Sequence, residues 1–222
     1  MKSFQTPKNK FVIYPELKQI WKYFQNPQEY QKEKEIYQYS PSFAPKLCGL
    51  LPQQNLIKLQ LLNAKTSIEI EPEFQKIAQL FAQLHRLNSP TICLCDTNPR
   101  NILYEIDLKR YFLIDFSDWQ YQPPEYDLIN FLLFWASIYS PKSFAKAATD
   151  FLAAYQKIAP IDWIFWQKRL PQAETEFDQR RARFNRKKAI EGAAPKENRK
   201  FMEKVAVSDF CRNRREQEIR LR

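Results

Sequence analysis

The sequence predicts an α+β fold in two lobes: a small strand-rich first part with one helix, then a larger, mostly helical part. Three observations lead there. Short apolar runs bounded by turn residues occupy much of residues 10–62. A period of three and four residues sets in at Phe74. From Asp127 onward the chain reads as helix, after a single hairpin pattern at 101–116. On this reading 1–62 form an abbreviated first lobe, 63–171 a helical second lobe with the hairpin, and 172–222 a basic helical tail.

The elements follow in order. Residues 10–24, KFVIYPELKQIWKYF, read as two strands with a turn near Pro15 and Glu16. Asn26 is a good N-cap and Pro27 suits a first turn, so 27–39 reads as a helix with Tyr30, Ile36 and Tyr37 as its apolar positions. PKLCGLLPQQNLIKLQLL reads as two strands joined by a turn at 53–55. Phe74, Ile77, Leu80, Phe81, Leu84 and Leu87 give one apolar helical face over 74–87. Ser89-Pro90 breaks it, and TICLC is a short apolar run. Asn98-Pro99 marks a loop. The segments 101–104 and 110–116 flank a polar turn at 105–109, and 127–139, 142–157 and 161–168 read as helices.

With 222 residues, 44% of them hydrophobic and 17 Phe, 11 Tyr and 5 Trp, the chain can build a packed core. Only two glycines occur, Gly49 and Gly192, about 1% against a usual share of roughly 7%. That excludes a Walker phosphate loop and a dinucleotide fingerprint, which need several glycines close together. The net charge is +10, and residues 179–222 hold 15 Lys and Arg against 6 Asp and Glu. The excess therefore belongs to the tail. Two readings of it stand side by side: a solvated helical face, or contact through 180–222 with the phosphates of RNA, DNA or an anionic lipid surface. Phe177, Phe184, Phe201 and Phe210 would dock the tail helices on the second lobe or stack on bases.

No zinc spacing surrounds Cys48, Cys93, Cys95 and Cys211, so they read as small buried side chains. The opening MKSFQTPKNK has no apolar core of a secretory signal, and the apolar stretch 129–139 is too short to span a bilayer. Both point to a reducing cytoplasm. His85 reads as a packed helix residue and Asp107 as an exposed hairpin carboxylate. Trp119, Tyr121 and Tyr126 read as packing or as a wall on which a substrate stacks.

Chemistry concentrates in Cys95-Asp96-Thr97-Asn98-Pro99-Arg100-Asn101, where an Asp and an Asn flank a proline loop, and in Asp115-Phe116-Ser117 nineteen residues after Asp96. This pattern resembles the catalytic and metal-binding segments of the protein-kinase-like superfamily, in particular its small phosphotransferase branch of aminoglycoside and choline kinase-like proteins. FAQLHRL resembles the helix that precedes the loop in that branch. The resemblance spans about residues 11–140 and implies a two-lobed kinase-like fold and transfer of the γ-phosphoryl group of ATP to a hydroxyl-bearing acceptor. Phosphoryl transfer needs a carboxylate to take the hydroxyl proton and oxygen ligands for Mg²⁺. By position Asp96 would be the base, and Asn101 and Asp115 the metal ligands. Lys22, on a strand, would contact the phosphates and be held by Glu33, which fits better than Glu35 because Ile36 and Tyr37 follow it. Asp127 would brace the loop. The chain departs from the pattern at Leu94, Asn98 and Ser117, where such proteins carry His, Lys or His, and Gly. No glycine-rich loop precedes Lys22. The resemblance also admits a non-catalytic binding module, or a minimal ATPase acting with RNA.

Overall fold

The computed structural model describes residues 1–185 and 195–207. It comprises two compact units, Met1–Glu73 with Gln83–Tyr121, and Phe74–Ala82 with the chain from Gln122 on.

The first unit is built on a five-stranded antiparallel sheet. β1 (Lys2–Gln5), β2 (Asn9–Tyr14), β3 (Gln19–Phe24), β4 (Leu47–Leu51) and β5 (Leu56–Gln60) lie in the order β1-β2-β3-β5-β4. The two expected hairpins are both present, and both turn by the same device. Pro15–Leu17 and Pro52–Gln54 each form one 3₁₀ turn, and each ends on a left-handed residue, Lys18 or Asn55, whose N–H bonds the proline carbonyl at 3.0 and 3.1 Å. Proline presets the backbone angle that opens such a turn. β1 was not anticipated, because KSFQ carries too little apolar signal for a strand.

Between β3 and β4 runs α1 (Pro27–Gln38), capped as its sequence predicts: the Asn26 carboxamide accepts from the Gln28 N–H. Its inward stripe is Tyr30, Glu33, Ile36 and Tyr37, all buried. A carboxylate in such a stripe demands a partner. A second, three-stranded sheet follows in the order β6-β8-β9, from β6 (Ala64–Thr66), β8 (Ile102–Glu105) and β9 (Arg110–Leu113). β8 and β9 are the expected hairpin, its turn closed by the Leu108 N–H on the buried Glu105 carboxylate. α2 (Phe74–His85) stops two residues before Leu87, in a tight last turn where the Leu87 N–H bonds the Leu84 carbonyl. β7 (Ile92–Cys93), from the TICLC run, pairs with β10 (Gln120–Tyr121).

The second unit packs α3 (Glu125–Ala136), α4 (Pro141–Gln156), α5 (Trp163–Asn185) and a helical segment at 196–207. Its core is aromatic. Phe81, Phe131 and Phe151 meet with ring centroids 4.6–5.9 Å apart, and Phe74 sits edge-on to Trp135 at 5.2 Å. The sequence suggests a short helix at 161–168 and a separate tail helix. Instead α5 is continuous through Pro171. A proline removes one N–H from the ladder, and Leu170, Ala173 and Phe177, buried on either side of it, hold the helix together. Phe177 packs on Phe134 and Phe201 on Phe144, so these two dock the tail helices. The Asn198 carboxamide donates to the carbonyls of Ala136 and Tyr139, satisfying the open C-terminal end of α3.

Cys93 is buried as expected, whereas Cys48, on the edge strand β4, is exposed. Cys211, Phe210 and the basic residues 186–188 and 212–222 lie outside the described residues, as does most of the proposed anionic-partner surface. Among the described residues no helix is long and apolar enough to cross a membrane.

Candidate active site

The register of the large sheet places Lys22 on β3 opposite Phe11 and Ile57. Its side chain is 5% exposed, and its ammonium lies 2.6 Å from Glu33 Oε2 and 2.7 Å from Asp115 Oδ1. The Phe24 ring stands 4.7 Å from the ammonium. Glu33 is thus the α1 carboxylate that reaches Lys22, not Glu35. Burial works against the charge on Lys22, but the two carboxylates prevail and hold its pKa above the ordinary value. Burial pushes Glu33 up to about 7 despite the lysine. Burial would raise Asp115 too, yet Lys22 and a bond from the Ser117 hydroxyl (3.1 Å) bring it below the usual range.

The proline loop is built by its own polar side chains. The Asn98 carboxamide caps the 3₁₀ turn Pro99–Asn101 by accepting from the Arg100 N–H. The buried Ser67 hydroxyl donates to the Pro99 carbonyl at 2.7 Å. Asn101 then turns its Nδ2 toward Asp96, donating to both the carbonyl and Oδ2 at 3.1 Å. That orientation presents the Asn101 Oδ1 as a free-facing acceptor. Asp96 is raised above the ordinary carboxylate value, chiefly by burial and further by Asp115 and Asp118. The loop is tied to the hairpin by Ile114 N–H to the Asn101 carbonyl, and the hairpin to the α1–β4 connection by Leu113 N–H to the Phe43 carbonyl. Two non-glycine residues here have left-handed backbone, Cys95 (φ 64°) and Asp115 (φ 63°). Aspartate tolerates that region better than most residues, and such conformations persist only where the surroundings hold them.

A cavity of about 230 Å³ opens beside these groups. Ile20, Leu59, Leu61, Leu62, Leu103 and Ile114 give it apolar walls, and Lys22, Glu33, Asn101 and Asp115 form its polar end. One unit therefore brings together Lys22, Glu33, Asp96, Asn101 and Asp115. Asp127, buried in the first turn of α3, belongs to the other unit, as does Tyr126, whose ring lies under the Arg169 guanidinium at 4.7 Å. His85 is buried in the last turn of α2, and Asp107 is exposed. Trp119 is buried, with Tyr121 edge-on at 5.1 Å.

Several contributors were missed from the sequence. Asp118 stands three residues beyond Asp115 and pairs with Lys8 at 3.2 Å; the doubled acid in Asp115-Phe116-Ser117-Asp118 was the available signal. Lys32 and Trp119 exchange hydrogen bonds, the ammonium to the Trp119 carbonyl at 3.0 Å and the indole N–H to the Lys32 carbonyl at 2.8 Å. This clasp ties α1, next to Glu33, to the segment after Asp115, and nothing local announces it. Trp119→Phe keeps an aromatic ring but removes the N–H donor and part of the buried indole. It is expected to lower stability by about 1 kcal/mol, read from the urea midpoint.

Comparison with known proteins bears on this arrangement. The Phosphotransferase enzyme family (APH) matches residues 38–194, a range that contains Asp96, Asn101, Asp115 and Asp127 and begins after Lys22 and Glu33. Among curated proteins no sequence matches. Among solved structures, choline kinase LicA from Streptococcus pneumoniae superposes with a TM-score of 0.59 at 16% identity over 92% of this chain and 90% of that one. LicA in complex with AMP gives 0.58 at 16% over 92% and 88%. A choline/ethanolamine kinase family protein from Mesorhizobium loti gives 0.61 at 10% over 93% and 86%. At such identities the likeness is one of fold, and the fold is the kinase-like one. The family match, which takes in well over half of the residues, settles membership: this chain belongs to the phosphotransferase enzyme family.

Proposed function

We propose that the protein transfers the γ-phosphoryl group of ATP, with Mg²⁺, to a hydroxyl of a small molecule or other acceptor. The observation that carries this reading is the convergence of Lys22, Glu33, Asn101 and Asp115 at the polar end of one apolar-walled cavity, with Asp96 bonded to Asn101. The apolar walls suit a nucleobase, and LicA, of similar fold, is known with AMP bound.

Asp96 acts as the base. Its Oδ2 is held by Asn101 and the carboxylate also receives the Asn98 backbone N–H, so that the group is oriented before the acceptor hydroxyl arrives. As the hydroxyl oxygen bonds the γ-phosphorus, the bond to the bridging oxygen breaks, ADP leaves, and the proton passes to Asp96. Burial raises Asp96 and so makes it a better proton acceptor. Lys22 keeps Glu33 and exchanges Asp115 for phosphate oxygens. Asn101 and Asp115 would hold Mg²⁺. The donor set fits a hard cation, two side-chain oxygens with the Asn101 Oδ1 turned away from Asp96. When bound, the ion neutralises phosphate charge. A second reading, a binding module without turnover, rests on the absence of glycine before Lys22.

Thermal unfolding tests the proposal. ATP with Mg²⁺ at millimolar concentration is expected to raise the midpoint by a few degrees, ATP alone by less, and Asp115→Ala to abolish the Mg²⁺-dependent part. No Mg²⁺-dependent shift in the wild type would overturn the reading. Transfer of labelled γ-phosphate to small alcohols, choline and ethanolamine first, separates turnover from binding alone.

A further inference from the structure

The hairpin of β1 and β2 turns at residues 6–8 without glycine. Thr6 and Asn9 close it: the Thr6 N–H bonds the Asn9 carbonyl at 2.8 Å, and the Asn9 N–H bonds the Thr6 hydroxyl at 3.0 Å. Pro7 has no N–H to give. Neither Pro7 nor Lys8 takes a left-handed backbone, so no position here calls for glycine. A turn made this way has almost no backbone N–H to present to an anion. Its donor is the Lys8 ammonium.

That ammonium is half-exposed and stands in an acidic setting. It lies 3.2 Å from Asp118 Oδ2 and 3.8 Å from Glu29 Oε1. Asp118 is three residues from Asp115. Among the described residues, Lys8 and Lys22 both act on the Asp115 carboxylate, one from solvent and one from the buried side. An exposed ion pair of this kind is weakly held, so Lys8 can change partners at little cost.

We propose that Lys8 binds the terminal phosphates of the nucleotide, its side chain replacing the backbone donors that a glycine-rich turn would offer, with Asp118 as its partner when no nucleotide is present. This rests on the reading of the site as a nucleotide-phosphate site. It gives the turn a function that depends on side-chain charge rather than on backbone access. The contact is a point charge on flexible methylenes, so its contribution is screened by salt.

Titration calorimetry on the full chain tests this with MgATP, MgADP and adenosine. Lys8→Gln is expected to weaken MgATP about tenfold, as for loss of one charge-assisted contact, and to leave adenosine unchanged. Lys8→Arg is expected to stay within about threefold of the wild type, because the charge is kept. Asp118→Asn is expected to tighten MgATP by releasing Lys8. Unchanged MgATP affinity in Lys8→Gln, beside a wild type that binds, overturns the proposal alone. An equal loss for adenosine also overturns it, since the effect would then lie in the fold. A wild type that binds neither MgATP nor MgADP overturns the nucleotide reading itself and the proposal with it.

Discussion

Asp96→Asn is expected to lower kcat by about 10²–10⁴-fold, while MgATP still stabilises the protein as it does the wild type. The substitution keeps the size of the side chain and its bond from Asn101, so the loop should hold its shape. What it removes is the proposed acceptor for the hydroxyl proton. A loss confined to kcat identifies an interaction made in the transition state. The pH profile gives a second reading of the same residue. Because burial holds Asp96 above the ordinary value, the acid limb of kcat/KM in the wild type should lie above the range of an exposed aspartate. Activity would be present above that value and lost as pH falls through it. An Asp96→Asn protein with wild-type turnover, or an acid limb absent down to the usual carboxylate range, would remove Asp96 from the role of base.

Lys22→Met is expected to cost about 3–5 kcal/mol, the usual result of leaving a buried charge without its partner. The cost should grow with pH, and the sign follows from Glu33. Its folded value is about 7 against 4.5 for the free side chain, so between these values the folded chain holds the extra proton. The stability that this lends is fully present below about 4.5 and is lost as pH rises through 7. Without Lys22 the opposing cation is gone, Glu33 rises further, and the loss extends to higher pH. The variant should therefore be distinctly weaker at pH 8 than at pH 6, by chemical denaturation. Asp115, whose side chain is 38% exposed, can turn to water and adds less. Adding Glu33→Gln should recover much of the stability at pH 8. A small, pH-independent effect of Lys22→Met would mean that the pair is not buried as described.

Spacing along the chain was enough to order β2, β3, α1, β4, β5 and the β8–β9 hairpin. Hydrophobic period, proline turns and an Asn cap act within a few residues and do not wait for distant partners. The same is true of the Asp96–Asn101 pair, closed by a loop of four intervening residues whose own Asn98 shapes it. Continuity of α5 across Pro171 was hidden, because packing on both sides of a proline decides whether a helix survives it.

Three features needed the folded chain. Lys22 and Asp115 are 93 residues apart in sequence, and only the sheet register and the left-handed turn at Asp115 bring their charges within 2.7 Å. The Lys32–Trp119 clasp and the Lys8–Asp118 pair join segments 87 and 110 residues apart, where no local period carries information. The residue types that can do phosphoryl chemistry are set by short-range pattern; which of them share a cavity, and with what charge, is set by burial and distance, which exist only once the chain has folded.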